Sequence, residues 1–381
     1  MAGMSPRERV LAALNFHDTD RVPIDFGSTI VSTIYYTAYD DLKQQLGMDH
    51  ETVMLAKLKR LAVPDSSILR RFKVDTRYLA LGVYEGDQKE LDDHSYLDEW
   101  GTTWKQAEDG HFLFVDGPFY NIKKPKPEDL SRCNWPDPDN PGYYRGLAER
   151  AAALREEGDY AIILNMPNGL VHQCQFLRGF GDWLKDLYKS RDFVEGLMER
   201  ISEHWIRVAE NALDAADGNV DILFFGDDLA SQQAPLFNPE KYREMVKPHH
   251  RRMIAAVKAR ADVKLLYHSC GSVEPMIEDL IDVGVDALNP VQVSANNMEP
   301  EMLKEKYKGR ISFWGGINTQ RVLPLGTPEE VRTEVRKMIE LMGKGGGYVL
   351  NSVHNIQGDV PAANIIAMFD EAGSFRPSWA A

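Results

Sequence analysis

Short apolar runs alternating with amphipathic stretches set the rhythm of this chain from its middle onward. Runs at residues 161–165, 221–225, 263–267, 287–290, 311–314 and 348–351 predict strands. Their nearly continuous hydrophobicity suits a parallel sheet covered by helices. Between them, helical periodicity runs through residues 181–216, 239–260, 273–283, 299–307 and 328–342. Two earlier strands, at 21–27 and 74–81, bring the count to eight strand–helix units. Eight units favour an α/β fold of the closed (β/α)8 TIM-barrel type over an open doubly wound sheet.

The rest of the chain decorates that pattern. Ser5-Pro6-Arg7-Glu8 is a helix start, with serine at the cap and proline in the first turn. Residues 35–71 read as mostly helical, so 1–72 form an N-terminal helical extension that includes the first strand. Residues 96–120 read as a β-hairpin insertion, with strands at 100–104 and 111–115 and a turn at Asp109-Gly110. The expectation is a single domain over 1–381, without internal repeats.

Barrel active sites lie where the strands end at their carboxyl side, and these strand ends carry polar groups. They are Asn165; Asp227 and Asp228; His268 and Cys270; Asn289 and Gln292; Trp314 with Asn318 beyond; and Asn351 and His354. Each is an ordinary turn residue or strand end by itself; their convergence on one rim makes a candidate site. His268 and Cys270 are two residues apart, so both can face the same way as half of a zinc site. The alternative is a histidine bonded locally beside a buried, inert cysteine. Across a closed mouth His354 can supply the third ligand, or else act as a metal-free hydrogen-bonding or general-acid histidine. Asp227 and Asp228 are candidate catalytic carboxylates, as ligand, base or orienter of an imidazole. Adjacent extended residues face opposite ways, so at most one should serve. His249 and His250, beside two arginines in a helix, read as part of a solvated face. The glycine run at 343–347 precedes a strand and reads as a loop, not a phosphate cradle.

Composition narrows the partners. A net charge of −14, with no basic stripe, argues against nucleic acid. No apolar run approaches a membrane span and the N-terminus lacks a signal-peptide core, so the expectation is a cytoplasmic protein. Three scattered cysteines suit reduced thiols, with Cys133 and Cys174 structural.

Several local motifs resemble the uroporphyrinogen decarboxylase superfamily, which also contains zinc-dependent, corrinoid-linked methyltransferases. They are Phe225-Gly226-Asp227-Asp228, Tyr267-His268-Ser269-Cys270-Gly271, Asp286-Ala287-Leu288-Asn289-Pro290, Phe313-Trp314-Gly315-Gly316, the 325–331 helix start and Gly347-Tyr348-Val349-Leu350-Asn351. The decarboxylases grip a tetrapyrrole through an arginine-rich N-terminal motif and an aspartate at an early strand end. This chain has Val22-Pro23-Ile24-Asp25-Phe26-Gly27-Ser28 and Leu81-Gly82-Val83 there. The methyltransferases carry a histidine and a cysteine separated by one residue, plus a distant cysteine near whose place His354 stands. The resemblance therefore implies a methyltransferase that moves a methyl group between a small O-, N- or S-methyl compound and a corrinoid carried by a partner protein. Zinc would be held by His268, Cys270 and His354, with substrate positioned by Asn165, Asn289, Gln292, Trp314 and Asn318. The alternatives are a metal-free carboxy-lyase acting on a tetrapyrrole or other polycarboxylate, and a barrel that binds a tetrapyrrole or corrinoid without catalysis. A homodimer is left open.

Overall fold

The computed structural model describes residues 3–56, 60–86, 89–92, 94–108 and 111–380. At the N-terminus, Ser5 caps the helix Pro6–Leu14 through the reciprocal bonds that its sequence predicts: Ser5 Oγ accepts from the Glu8 N–H, and the Glu8 carboxylate accepts from the Ser5 N–H. The predicted mostly helical stretch 35–71 is corrected. Helices Tyr36–Gln45 and Ser66–Arg71 flank a small antiparallel sheet of β1 (Ile34–Tyr35), β2 (Met54–Ala56) and β3 (Leu61–Ala62), with β3 in the centre. Pairing with Ile34 and Tyr35 overrides the local helical pattern at Leu61 and Ala62.

After β4 (Thr76–Ala80), an antiparallel meander of β5 (Lys89–Asp92), β6 (Ser95–Leu97), β7 (Thr103–Gln106) and β8 (Phe112–Asp116) replaces the simple hairpin. Trp100, expected in a strand, lies in a buried turn. Asp98 makes that turn by accepting from the Trp100 and Thr102 amides and from Trp104 Nε1. The expected turn at Asp109-Gly110 lies outside the described residues. Trp104 and Phe114 each pack 5.0 Å from Phe176 of the helix Leu170–Arg178, so the insertion buttresses that helix. This helix, Leu147–Glu157 and Ala362–Ser374 were not predicted. The expected long helix 181–216 is divided at Ser190 into Phe180–Lys189 and Arg191–Ala215.

β9 (Ala161–Asn165), β10 (Ile222–Gly226), β11 (Lys264–His268), β12 (Ala287–Asn289), β13 (Ser312–Trp314) and β14 (Tyr348–Val349) follow the predicted runs. With β4 they form a seven-stranded parallel sheet in the order β14-β13-β12-β11-β10-β9-β4. Residues 22–26 join its two edges. The Asp25 N–H donates to Leu350 O and the Leu350 N–H to Pro23 O on one side; on the other, the Asp75 N–H donates to Ile24 O. The fold is thus an α/β TIM barrel whose first stave is not a regular strand. Pro23 has no N–H to give, and the Ile24 N–H goes to the Asp75 carboxylate at 2.8 Å instead of to a ladder carbonyl.

Inside the barrel, Ala161, Ile163, Ile222, Phe224, Leu266, Ala287, Trp314 and Val349 form one apolar cluster. Val10 and Leu14 of the N-terminal helix join it, as do Ile30 and Val31. The alternate strand residues, such as Leu164, Leu223, Tyr267 and Leu288, pack into the larger cluster beneath the helices. Closure is reinforced by the fully buried Asp75, which meets Arg9 at 2.7 Å and both terminal nitrogens of Arg21 at 2.8 Å. Replacing Asp75 by alanine leaves a buried guanidinium without its counter-charge. The expected loss is about 3–5 kcal/mol of unfolding free energy, measurable from urea unfolding. A loss below about 1 kcal/mol would show that this ion cluster does not hold the barrel closed.

Candidate metal centre

Strand alternation decides which side chains face the mouth. Leu266 of β11 lies in the barrel interior, so His268, two residues on, points the same way one layer higher. Parallel pairing sets His268 opposite Asn289, and its Nδ1 lies 2.6 Å from Asn289 Oδ1. The imidazole therefore donates through Nδ1–H and keeps its lone pair on Nε2. That atom is 3.4 Å from Cys270 Sγ. On the other side Gly226 pairs with His268, and a Cβ there would sit 2.4 Å from the His268 Cβ, so only glycine leaves the imidazole its room. Gly271, at φ +92°, turns the chain immediately after the cysteine.

His354 reaches the same place from the end of the barrel. Ser352 bridges Ile317 and Ile356 bridges Ile34, so the backbone is pinned on both sides of residue 354. The rings of His354 and His268 are 5.6 Å apart. One ligating atom from each of His268, Cys270 and His354 lies within 4.8 Å of the others, a set that can hold a metal ion.

Asp227 and Asp228 diverge. Asp228 faces the mouth, where its Oδ1 accepts from the Cys270 N–H at 2.9 Å and lies 3.7 Å from His268 Nε2. Burial works to raise its carboxyl, but His172, His268 and the Cys270 amide outweigh burial and hold it well below the usual carboxylate range. Burial pushes the Cys270 thiol up, and the nearby Asp228 charge adds to the effect. The sulfur therefore keeps its proton unless a cation sits beside it. Asp227 turns into the protein and is fully buried. It accepts from the His172 N–H at 2.8 Å and from His250 Nε2 at 3.1 Å, while the Tyr242 hydroxyl donates to His250 Nδ1 at 3.1 Å. Burial again opposes ionisation, yet the His250 hydrogen bond and His172 hold this carboxyl below its ordinary value. His250 is thus no part of a solvated face; a π-helical turn at Tyr242–Val246 and the buried carboxylate enclose it.

Each of the five residues expected to position substrate is hydrogen-bonded within the protein. Asn165 donates to the carbonyls of Ser28, Leu79 and Ile163 and accepts from the Ile30 N–H. Asn289 orients His268. Gln292 accepts from the Gly271 N–H at 2.6 Å. Trp314 is buried inside the barrel and donates to Asp25. Asn318 caps its own turn by accepting from the Gln320 and Arg321 amides. Only Gln292 among them lines a cleft beside the triad.

Two such clefts exist among the described residues. One, of about 310 Å³, is lined by His268, His354, His172 and Asp228, by further polar groups such as Tyr35, His111 and Asn168, and by apolar side chains such as Ile30, Val31 and Phe224. The second, of about 320 Å³, runs past Cys270, His354, Gln292, Ser231 and Gln320. Sequence reasoning missed three residues here. His172 lies in the first turn of the unpredicted helix and accepts from the Asp228 N–H at 3.2 Å. Asn355 holds the Ile30 carbonyl and the Thr33 N–H. The buried Asp25 gathers Ser28, Thr76, Trp314 and Asn351. Asp25 and Asn355 stand beside residues read as strand ends; His172 had no signal beyond its place after β9.

A family model described as "Uroporphyrinogen decarboxylase (URO-D)" matches residues 116–375. A uroporphyrinogen decarboxylase from Chlorobium limicola is 25% identical over 48% of this chain and 49% of its own length. The methylated-thiol–coenzyme M methyltransferase of Methanosarcina mazei is 26% identical over 59% of this chain and 56% of its own. The matched region thus spans about half the length of these curated relatives, both of them enzymes. Among solved structures, a methyltransferase from Methanosarcina mazei superposes with a TM-score of 0.66 at 18% identity, covering 97% of this chain and 98% of that one; the likeness is one of fold. No helix among the described residues is long and apolar enough to cross a membrane.

The buried carboxylate behind the site generates a pH-dependent expectation. Because folding lowers the Asp227 value, its charge stabilises the native state fully above the unfolded carboxylate range, near pH 4. That stability is lost as pH falls through the native value. Asp227→Asn should cost about 1–2 kcal/mol at pH 7, the difference between a charge-assisted and a neutral hydrogen bond. Urea midpoints measured from pH 7 down to about 2.5 should show the gap to wild type closing; a constant gap would mean that the charge contributes nothing.

Proposed function

Since this chain belongs to the uroporphyrinogen decarboxylase (URO-D) family, we propose that it is a zinc-assisted methyltransferase passing a methyl group between a small O-, N- or S-methyl compound and a corrinoid protein. The observation that carries this reading is the convergence of His268, Cys270 and His354. Two imidazoles and a thiol suit zinc with one position left open. The donor set fits in a second way: the Asn289 side-chain oxygen fixes the His268 tautomer that leaves the lone pair on Nε2, and a cation would give Cys270 the counter-charge that its half-buried sulfur needs. The methyltransferase relative supports the same branch.

Bound by these three residues, zinc would supply Lewis acidity to the heteroatom that carries the methyl group. The C–O, C–N or C–S bond breaks with its electron pair left on the heteroatom. A reduced corrinoid carried by a partner protein would supply the electron pair for the new bond to carbon. Asp228, held as an anion, orients the Cys270 loop through the Cys270 N–H and does not serve as the acid. Asp227 and His250 act behind it, fixing the turn that carries His172.

Metal analysis of protein purified without chelator should find about one zinc per chain. Cys270→Ser and His354→Ala should each lose most of that zinc and of the transfer to reduced corrinoid, with melting temperatures close to wild type, because barrel stability resides in the layers beneath the rim. Equal zinc content and activity in all three proteins would end this reading.

The decarboxylase relatives favour a second reading, removal of carboxyl groups from a tetrapyrrole. The arginines with which the resemblance would grip such a substrate have no counterpart at residues 22–28, where Asp25 is buried and Ile24 faces the outer core. Incubated with uroporphyrinogen, the protein should release no carbon dioxide above a blank. Sustained release would reverse the order of the two readings.

A further inference from the structure

The loops that follow β10 and β11 are zipped together. The Asp227 N–H donates to His268 O at 2.9 Å, the Cys270 N–H to Asp228 Oδ1 at 2.9 Å, the Leu229 N–H to Ser269 Oγ at 3.0 Å and the Ser272 N–H to Ser231 O at 2.7 Å. The Cys270 turn therefore goes where residues 227–231 go. His172 ties those residues in turn to the helix Leu170–Arg178. Its Nε2 accepts from the Asp228 N–H at 3.2 Å, while its own backbone N–H donates to Asp227 Oδ1 at 2.8 Å. Accepting on Nε2 leaves the imidazole proton on Nδ1, 3.9 Å from the Asp227 carboxylate. The helix start comes this close because residue 169 is glycine: a Cβ there would stand 2.3 Å from both Asp227 Oδ1 and Gly226 O.

The imidazole is braced as well as bonded. One helical turn on, Phe176 lies parallel to it, with the planes 5° apart and the centroids 6.0 Å apart. Phe176 is itself held by Trp104 and Phe114 of the meander. A line of contacts thus runs from the insertion through Phe176 and His172 to the Asp228 amide, and through the Asp228 carboxylate to Cys270. The two ends of the metal set depend on it unequally. His268 sits on a regular strand and is aimed by Asn289, whereas Cys270 lies beyond the strand end and takes its place from these loops. Its sulfur is 3.4 Å from His268 Nε2. Sharing one cation requires about 2.3 Å from sulfur and about 2.0–2.1 Å from nitrogen, a geometry that tolerates errors of roughly half an ångström. A turn of the Asp228 peptide would move the carboxylate that holds the Cys270 amide, and the sulfur with it.

Resting on the zinc reading of this site, we propose that His172 is a positioning residue for Cys270, acting through the Asp228 amide. His172→Phe keeps a ring against Phe176 and removes the acceptor. His172→Gln restores one, because its Oε1 stands as many bonds from the backbone as the imidazole Nε2. Zinc affinity of the full chain, measured by competition with a chromophoric chelator, should fall at least about tenfold in His172→Phe and return to within about threefold of wild type in His172→Gln. A second readout needs no metal. Cys133 and Cys174 are buried and Cys270 is partly exposed, so iodoacetamide followed by mass spectrometry reports the Cys270 turn in metal-free protein. Its alkylation should quicken at least about threefold in His172→Phe and not in His172→Gln. Melting temperatures check the fold; should His172→Phe melt far below wild type, His172→Asn, whose oxygen falls one bond short, serves as the variant without an acceptor. Equal zinc affinities and alkylation rates in all variants, or a His172→Gln as impaired as His172→Phe, overturns the proposal. The two readings fail separately. Wild type without zinc, with alkylation that quickens in His172→Phe and returns in His172→Gln, would sink the zinc reading and leave the positioning role standing; zinc bound equally by every variant, with unchanged alkylation, would do the reverse.

Discussion

The architecture depends on how the barrel closes. Residues 22–26 share few ladder hydrogen bonds with their neighbours, and Pro23 cannot donate. Asp75 makes up the difference, binding the Ile24 N–H and the guanidinium groups of Arg9 and Arg21 with one buried carboxylate. That single side chain ties the N-terminal helix, the first stave and β4 together. Closure in turn brings the segment after β14 across the mouth from β11, the step that makes a three-residue site out of His268, Cys270 and His354.

The polar rim is largely scaffold. Asn165, Asn351 and Asn355 hold the 28–33 loop, Asn289 aims an imidazole, and Gln292 holds the Gly271 turn. Each such bond contributes only about 1 kcal/mol net, so their importance lies in geometry. A metal site or transfer site tolerates errors of roughly half an ångström, and side chains bonded at both ends cannot wander that far. The buried Asp25 extends this logic one layer down, since it is satisfied entirely by neutral donors on four separate segments.

The carboxylate pair shows one sequence motif serving two layers. Asp228 stands at the mouth, among the candidate ligands, and Asp227 stands behind it with His250 and Tyr242. Both carboxyls are held below their ordinary values against the opposing effect of burial, and in both cases by histidines and backbone amides. An ionised pair on opposite faces of one strand end anchors the His172 helix on one side and the Cys270 turn on the other.

The parallel strands, the N-terminal cap and the spacing of His268 and Cys270 were legible in the chain alone. These depend on local periodicity and on side chains within a few residues of one another. The chain also placed His354 at the right rim, because a closed eight-stave barrel leaves the end of the last strand at the mouth. Tertiary structure alone decided the tasks of the amides. Asn165 and Asn289 look identical as strand ends; one is consumed by a loop 137 residues away in sequence and the other by an imidazole 21 residues away. It alone brought His250 inside and made a small sheet of β1 to β3, where long-range pairing outweighed local propensity. Hydrogen bonds between distant segments leave no periodic trace in a chain, so the partners of a polar residue become known only when the fold has set them side by side.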